Sequence, residues 1–63
     1  MIPDDIRRSA TGMIRNFGPE AFQLAQEMTI KYERQKDAYG VHTWQKIAQA
    51  IRLLEQQTPA SAA

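Results

Sequence analysis

The sequence predicts an all-α fold: a small three-helix bundle, or a helical hairpin with an extra helix, open to oligomerisation. Three observations carry that prediction. Apolar residues recur at helical spacing in three successive stretches, glycine and proline fall between the stretches, and no stretch alternates apolar and polar residues as a half-buried strand does. At 63 residues the chain has room for one domain, expected over residues 1–57, with 58–63 as a flexible C-terminal tail.

The first helix is expected over about 3–17. Ile2, Ile6, Ala10, Met13, Ile14 and Phe17 form one stripe at 100° per residue. Pro3 suits the start because its missing N–H would have no intrahelical partner there. Asp4 and Asp5 follow in the first turn, where carboxylates complement the positive end of the helix dipole. Gly18 suits the left-handed C′ position, and Pro19 cannot continue a helix.

The second helix is expected over about 19–39, opened by Pro19 and Glu20 and closed by Gly40 as C-cap. Ala21, Leu24, Ala25, Met28, Tyr32, Gln35 and Tyr39 share one side, and Gln23, Gln26, Glu27, Lys31, Arg34 and Asp37 the other. Such a helix would be about 30 Å long and would serve as the backbone of the fold. The third is expected over about 42–57, with its start open between Val41 and Thr43. Val41, Trp44, Ile47, Ala48, Ile51 and Leu54 form its stripe, and Thr58 and Pro59 end it.

Composition makes the core lean. Of the 27 apolar residues, 43% of the chain, nine are alanine, so only 18 carry a large apolar side chain. A chain this short buries about 60% of its unfolded surface, so a second copy or a larger assembly can form part of the folded state. There is no cysteine to form a disulfide or a thiolate metal site. A net charge of +1 does not suit a dedicated polyanion binder. No run reaches the roughly 18–20 apolar residues that span a bilayer, and with Met1-Ile2-Pro3-Asp4-Asp5 at its start no secretory leader is expected. A cytoplasmic location is the expectation.

Chemistry is hard to place. His42 is the only histidine, with Gln45 and Lys46 rather than carboxylates one turn on. It reads as a surface residue at a helix start. Asp4 and Asp5 are adjacent, so on a helix they point about 100° apart and do not form an acid–base pair. Gly12, Gly18 and Gly40 are isolated and make no phosphate loop. No catalytic residue, cofactor or metal is expected, and the protein is not expected to be an enzyme.

Small three-helix domains often read DNA, which makes the placement of the positive charges informative. Arg8, Thr11 and Arg15 align on the first helix, yet the third offers only Lys46 and Arg52 among neutral glutamines. A small helix-turn-helix-like DNA-binding regulator is therefore the alternative. The favoured expectation is a partner protein or a homo-oligomer, recognised by Phe22, Ile30 and Leu53. These three fall off the main stripes, and Phe22 and Ile30 flank Gln26, Thr29 and Glu33 on one side of the second helix.

Phe17-Gly18, Ala21, Ala25, Asp37, Gly40, Trp44, Ile47 and Leu54 make a pattern across roughly residues 6–55. It resembles short alphaproteobacterial helical proteins that carry a domain of unknown function. In these a Gly-x-x-Ala start leads to an acidic-Gly turn and a Trp-x-x-Ile helix. Ala38 and Tyr39 separate the acidic residue from Gly40 here, which departs from that turn. The resemblance implies a bacterial helical fold and brings no activity with it.

Overall fold

The computed structural model describes residues 2–57, and the tail expected at 58–63 lies outside them. The fold is all-α. Helix α1 spans Asp4–Phe17, a 3₁₀ turn spans Gly18–Glu20, α2 spans Ala21–Arg34 and α3 spans Ala38–Gln57. There is no strand among the described residues.

Helix α1 begins and ends close to its expected limits. Pro3 is its N-cap, in an extended conformation with ψ 147°, and its carbonyl accepts the first helical bond from the Arg7 N–H at 2.9 Å. Asp4 and Asp5 occupy the first turn. The helix stops at Gly18, whose N–H still donates to the Ile14 carbonyl but whose φ of 58° and ψ of −129° leave the helical region. That positive φ with strongly negative ψ is nearly closed to side-chain-bearing residues. Pro19 then fits the first turn of the 3₁₀ segment.

The second junction departs from the sequence expectation. The helix expected over 19–39 ends at Arg34, and the one expected from 42 begins at Ala38. The 20-residue helix is therefore α3, and α2 has 14 residues. Two local motifs set this boundary. Lys36 adopts φ 59°, its N–H donates to the Glu33 carbonyl at 3.0 Å, and the Asp37 N–H donates to the Tyr32 carbonyl at 3.0 Å. This pair of bonds is a Schellman motif, with lysine at the position usually held by glycine.

Asp37 then caps α3. Its carbonyl accepts the first helical bond from the Val41 N–H, and its Oδ1 accepts the Gly40 N–H, both at 3.0 Å. Asp is among the preferred N-cap residues because its short carboxylate reaches an N–H of the first turn that has no helical partner. Gly40 is thus not a C-cap. It lies buried in the first turn of α3, with the Tyr32 ring occupying the place a Cβ would take. A Cβ at Gly40 would lie 2.5 Å from Tyr32 Cδ1.

Helices α2 and α3 form an antiparallel hairpin. Tyr32 meets Gly40 near the turn, and Phe22 meets Arg52 at the far end. Helix α1 packs on α3, with Ile2, Pro3 and Ile6 beside Lys46, Gln49, Ala50 and Leu53. Ala10, Ala21, Ala25, Ala48 and Ala50 are buried with Ile47 and Ile51. Small side chains let helix axes approach toward the short end of the usual 8–10 Å range. Ile2, Ile6, Met13, Ile14, Phe22, Trp44 and Leu54 pack around this seam only partly buried.

Two residues assigned to the apolar stripes lie outside. Phe17 is 47% exposed, at the last residue of α1 where the chain turns away. Tyr39 is 83% exposed because it belongs to the first turn of α3 rather than to the inner face of α2.

Candidate protein-contact site

Phe22, Ile30 and Leu53 come together on one open groove between α2 and α3. The antiparallel pairing does this. Residues 22, 26, 29, 30 and 33 of α2 line it beside 45, 48, 49, 52 and 53 of α3. Ile30 is 46% and Leu53 45% exposed. Phe22 is partly buried, packs against the alanine seam and carries the Arg52 guanidinium 4.5 Å above its ring centroid. A guanidinium at that distance is attracted by the negative face of the ring. Phe22 therefore belongs partly to the core, whereas Ile30 and Leu53 are surface residues.

The rest of the groove is mostly neutral. Gln26, Gln45 and Gln49 line it with Ala48 and Thr29. The Thr29 hydroxyl donates to the Ala25 carbonyl at 3.0 Å, so its hydrogen bond is made within its own helix. Glu33 and Arg52 are the two charged groups, and they stand at opposite ends: Arg52 beside Phe22 and Leu53, Glu33 one turn beyond Ile30. The sequence pattern places Glu33 on the Phe22–Ile30 side of α2 and gives Arg52 only as one of two cations of the third helix; that the two share one groove depends on how α2 and α3 are aligned.

The remaining chemistry-bearing residues gather elsewhere. Asp5, Ser9 and His42 line one depression between α1 and α3, with Lys46 and Tyr39 at its edge. Serine, histidine and aspartate are the residue types of a hydrolase triad. All three are exposed here, and no hydrogen bond joins any two of them. Nucleophilic catalysis calls for a base within hydrogen-bond reach of the nucleophile, and that contact is not formed. Among the described residues no group of three or more His, Cys, Asp or Glu side chains could hold a metal ion. Also among the described residues, no helix is long and apolar enough to cross a membrane.

The fold defines a small all-α domain made of a helical hairpin with a third helix laid on it. No protein-family model, curated protein or solved structure matches this chain.

Proposed function

We propose that this is a non-enzymatic helical protein that acts through protein–protein contacts, with the α2–α3 groove as its contact surface. The observation that carries this reading is the meeting of Ile30, Leu53 and Phe22 on one groove whose other lining residues are mostly neutral, Gln26, Gln45 and Gln49 among them, with Glu33 and Arg52 as its charged members. Apolar anchors with neutral side chains between them and charges toward the ends are what a partner buries favourably, since charged residues are depleted at interface centres. The hairpin geometry favours this reading over DNA binding. A helix-turn-helix crosses its two helices at about 90–120°, whereas α2 and α3 stay in contact from Tyr32–Gly40 to Phe22–Arg52.

The test uses Ile30→Ser with Leu53→Ser, which spares the partly buried Phe22. Immobilised wild-type chain should retain a protein, another copy of itself included, that the double variant does not. Circular dichroism of the two should coincide. Retention that is the same for both chains, or absent for both, would count against the groove. Binding to duplex DNA that weakens steeply with salt would point instead to phosphate contacts.

A further inference from the structure

We propose that α3 exchanges between two copies of this chain: the turn at residues 35–37 opens, and each copy packs its α3 on the α1 and α2 of the other. This goes beyond the protein-contact reading and does not use the groove. The buried seam is divided by that turn. Ala10, Ala21 and Ala25 lie before it and Ile47 and Ile51 after it, and α3 packs on both α1 and α2. An opened chain therefore exposes two halves of one core, and a second opened copy supplies the half that each has lost. The contacts of α3 are then remade between copies, which is what makes exchange of an element a low-cost route to a dimer.

The turn is also where the closed chain carries strain. Lys36, at φ 59°, is the one non-glycine residue with positive φ among the described residues. Only Gln35, Lys36 and Asp37 connect α2 to α3, and short hinges under strain invite exchange. None of the three is glycine or proline, so all have access to the right-handed helical region once the turn opens. Gly18 takes its positive φ without a Cβ, which is why the exchange falls at the second junction and not the first.

Two local terms oppose each other at this hinge. The left-handed step disfavours the closed turn by about 5–30-fold per chain. The Asp37 cap on the Gly40 N–H favours it by about fivefold at the usual strength of an N-cap. These terms nearly cancel, and the contacts of α3 are the same in both forms. Chain concentration therefore decides between them. The exchanged dimer rebuilds the α2–α3 groove twice, so it presents two contact surfaces where the monomer presents one.

The test refolds the chain from urea at micromolar and at millimolar concentration and separates monomer from dimer by size. Gln26→Cys with Gln49→Cys gives two exposed sites on one groove for spin labels, in a chain with no cysteine of its own. Labelled chain refolded with excess unlabelled chain reports the distance within one copy. In the monomer the labels should lie within about 20 Å, on neighbouring helices. In the dimer they should lie about 35 Å apart, the span of the intervening residues at 1.5 Å each. Asp37→Ala removes a bond that only the closed turn makes, and should strengthen the dimer at least about tenfold. Lys36→Gly relieves the closed turn and should weaken the dimer by a similar factor of at least about ten. Circular dichroism of each chain establishes that the variants fold. A chain that stays monomeric at millimolar concentration, a dimer that keeps the short distance, or variants that fail to shift the equilibrium in opposite directions would each overturn the exchange. The groove reading fails separately, through unchanged retention by Ile30→Ser with Leu53→Ser.

Discussion

Gly18 and Lys36 follow the first and second helices with almost the same φ, 58° and 59°, yet one is a glycine and the other a lysine. The difference lies in what each junction asks of the backbone. Gly18 combines its positive φ with a ψ of −129°, a region in which a Cβ clashes with the peptide and only glycine is at ease. Lys36 is held by the Schellman pair from Lys36 and Asp37 to Glu33 and Tyr32. An L-residue tolerates that single left-handed step at a cost of about 1–2 kcal/mol. Gly40 makes a third case. It is needed for closeness to the Tyr32 ring and not for its φ.

The largest effect of these substitutions is expected at Gly18. Gly18→Ala keeps open space around the new Cβ and so isolates the backbone term, about 1–3 kcal/mol of lost stability. Urea unfolding followed by circular dichroism measures it. A loss below about 0.5 kcal/mol would mean that the junction can relax into another conformation.

Gly40→Ala comes next and works by a different mechanism. A Cβ 2.5 Å from Tyr32 Cδ1 must push the ring aside, and overpacking of this kind costs about 1–3 kcal/mol. Alanine returns up to about 1 kcal/mol through its helix propensity, leaving a net loss of about 1–2 kcal/mol. In a Tyr32→Ala background the clash disappears, and the same substitution should become neutral or stabilising. A double-mutant cycle over the four chains reads the coupling directly. An equal cost in both backgrounds would show that the ring is not the obstacle.

How much of this was legible from the sequence follows from the two junctions. The stripe of Ile6, Ala10, Met13 and Ile14, and that of Ile47, Ile51 and Leu54, depend only on helical period and do pack together, around an alanine seam that the periodicity did not announce. The Gly18-Pro19 stop was legible because both residues are committed breakers. The α2–α3 turn was not, because glycine outranks lysine as a stop signal and so Gly40 drew the boundary away from Lys36. A usable signal was present in Asp37, a strong cap residue just ahead of the Val41, Trp44 and Ile47 stripe.

The misplaced turn also hid half of the groove. A hairpin centred on Gly40 would set Phe22 level with residue 58, past the last helical turn. Centred on Lys36, it sets Phe22 level with residue 50, close to the Arg52 that it touches. Phe22, Ile30 and Leu53 could be found without that alignment, because each falls off its own helix's stripe. Glu33 was legible on the same side of the second helix, but that Arg52 joins it on one surface built by two helices was not.

Asp37→Ala tests the capping half of the second junction. It removes the 3.0 Å acceptor of the Gly40 N–H and should cost about 1 kcal/mol, within the 0.5–2 kcal/mol range of lost N-caps. Asp37→Asn keeps an oxygen at the same reach and should lose much less. Hydrogen exchange adds a local reading, with faster exchange at Gly40 in the alanine variant only. If both variants lose the same stability, the carboxylate charge near the helix start matters more than the hydrogen bond.

Lys36→Gly should give the smallest change, and it is the only one of these expected to stabilise. Glycine removes the left-handed penalty at Lys36, about 1–2 kcal/mol for an L-residue. It also enlarges the freedom of the unfolded chain, which costs about 0.4–1 kcal/mol. The two terms oppose each other and leave a gain of about 0.5 kcal/mol. The side chain itself contributes little to that balance, since Lys36 is exposed. The Schellman bonds run from backbone groups and survive the change. The gain should therefore appear as a higher urea midpoint with an unchanged slope, because the surface exposed on unfolding is the same. A loss of stability would show that the lysine side chain makes a contribution that its exposure does not suggest. The junction would then favour lysine for a reason other than backbone geometry.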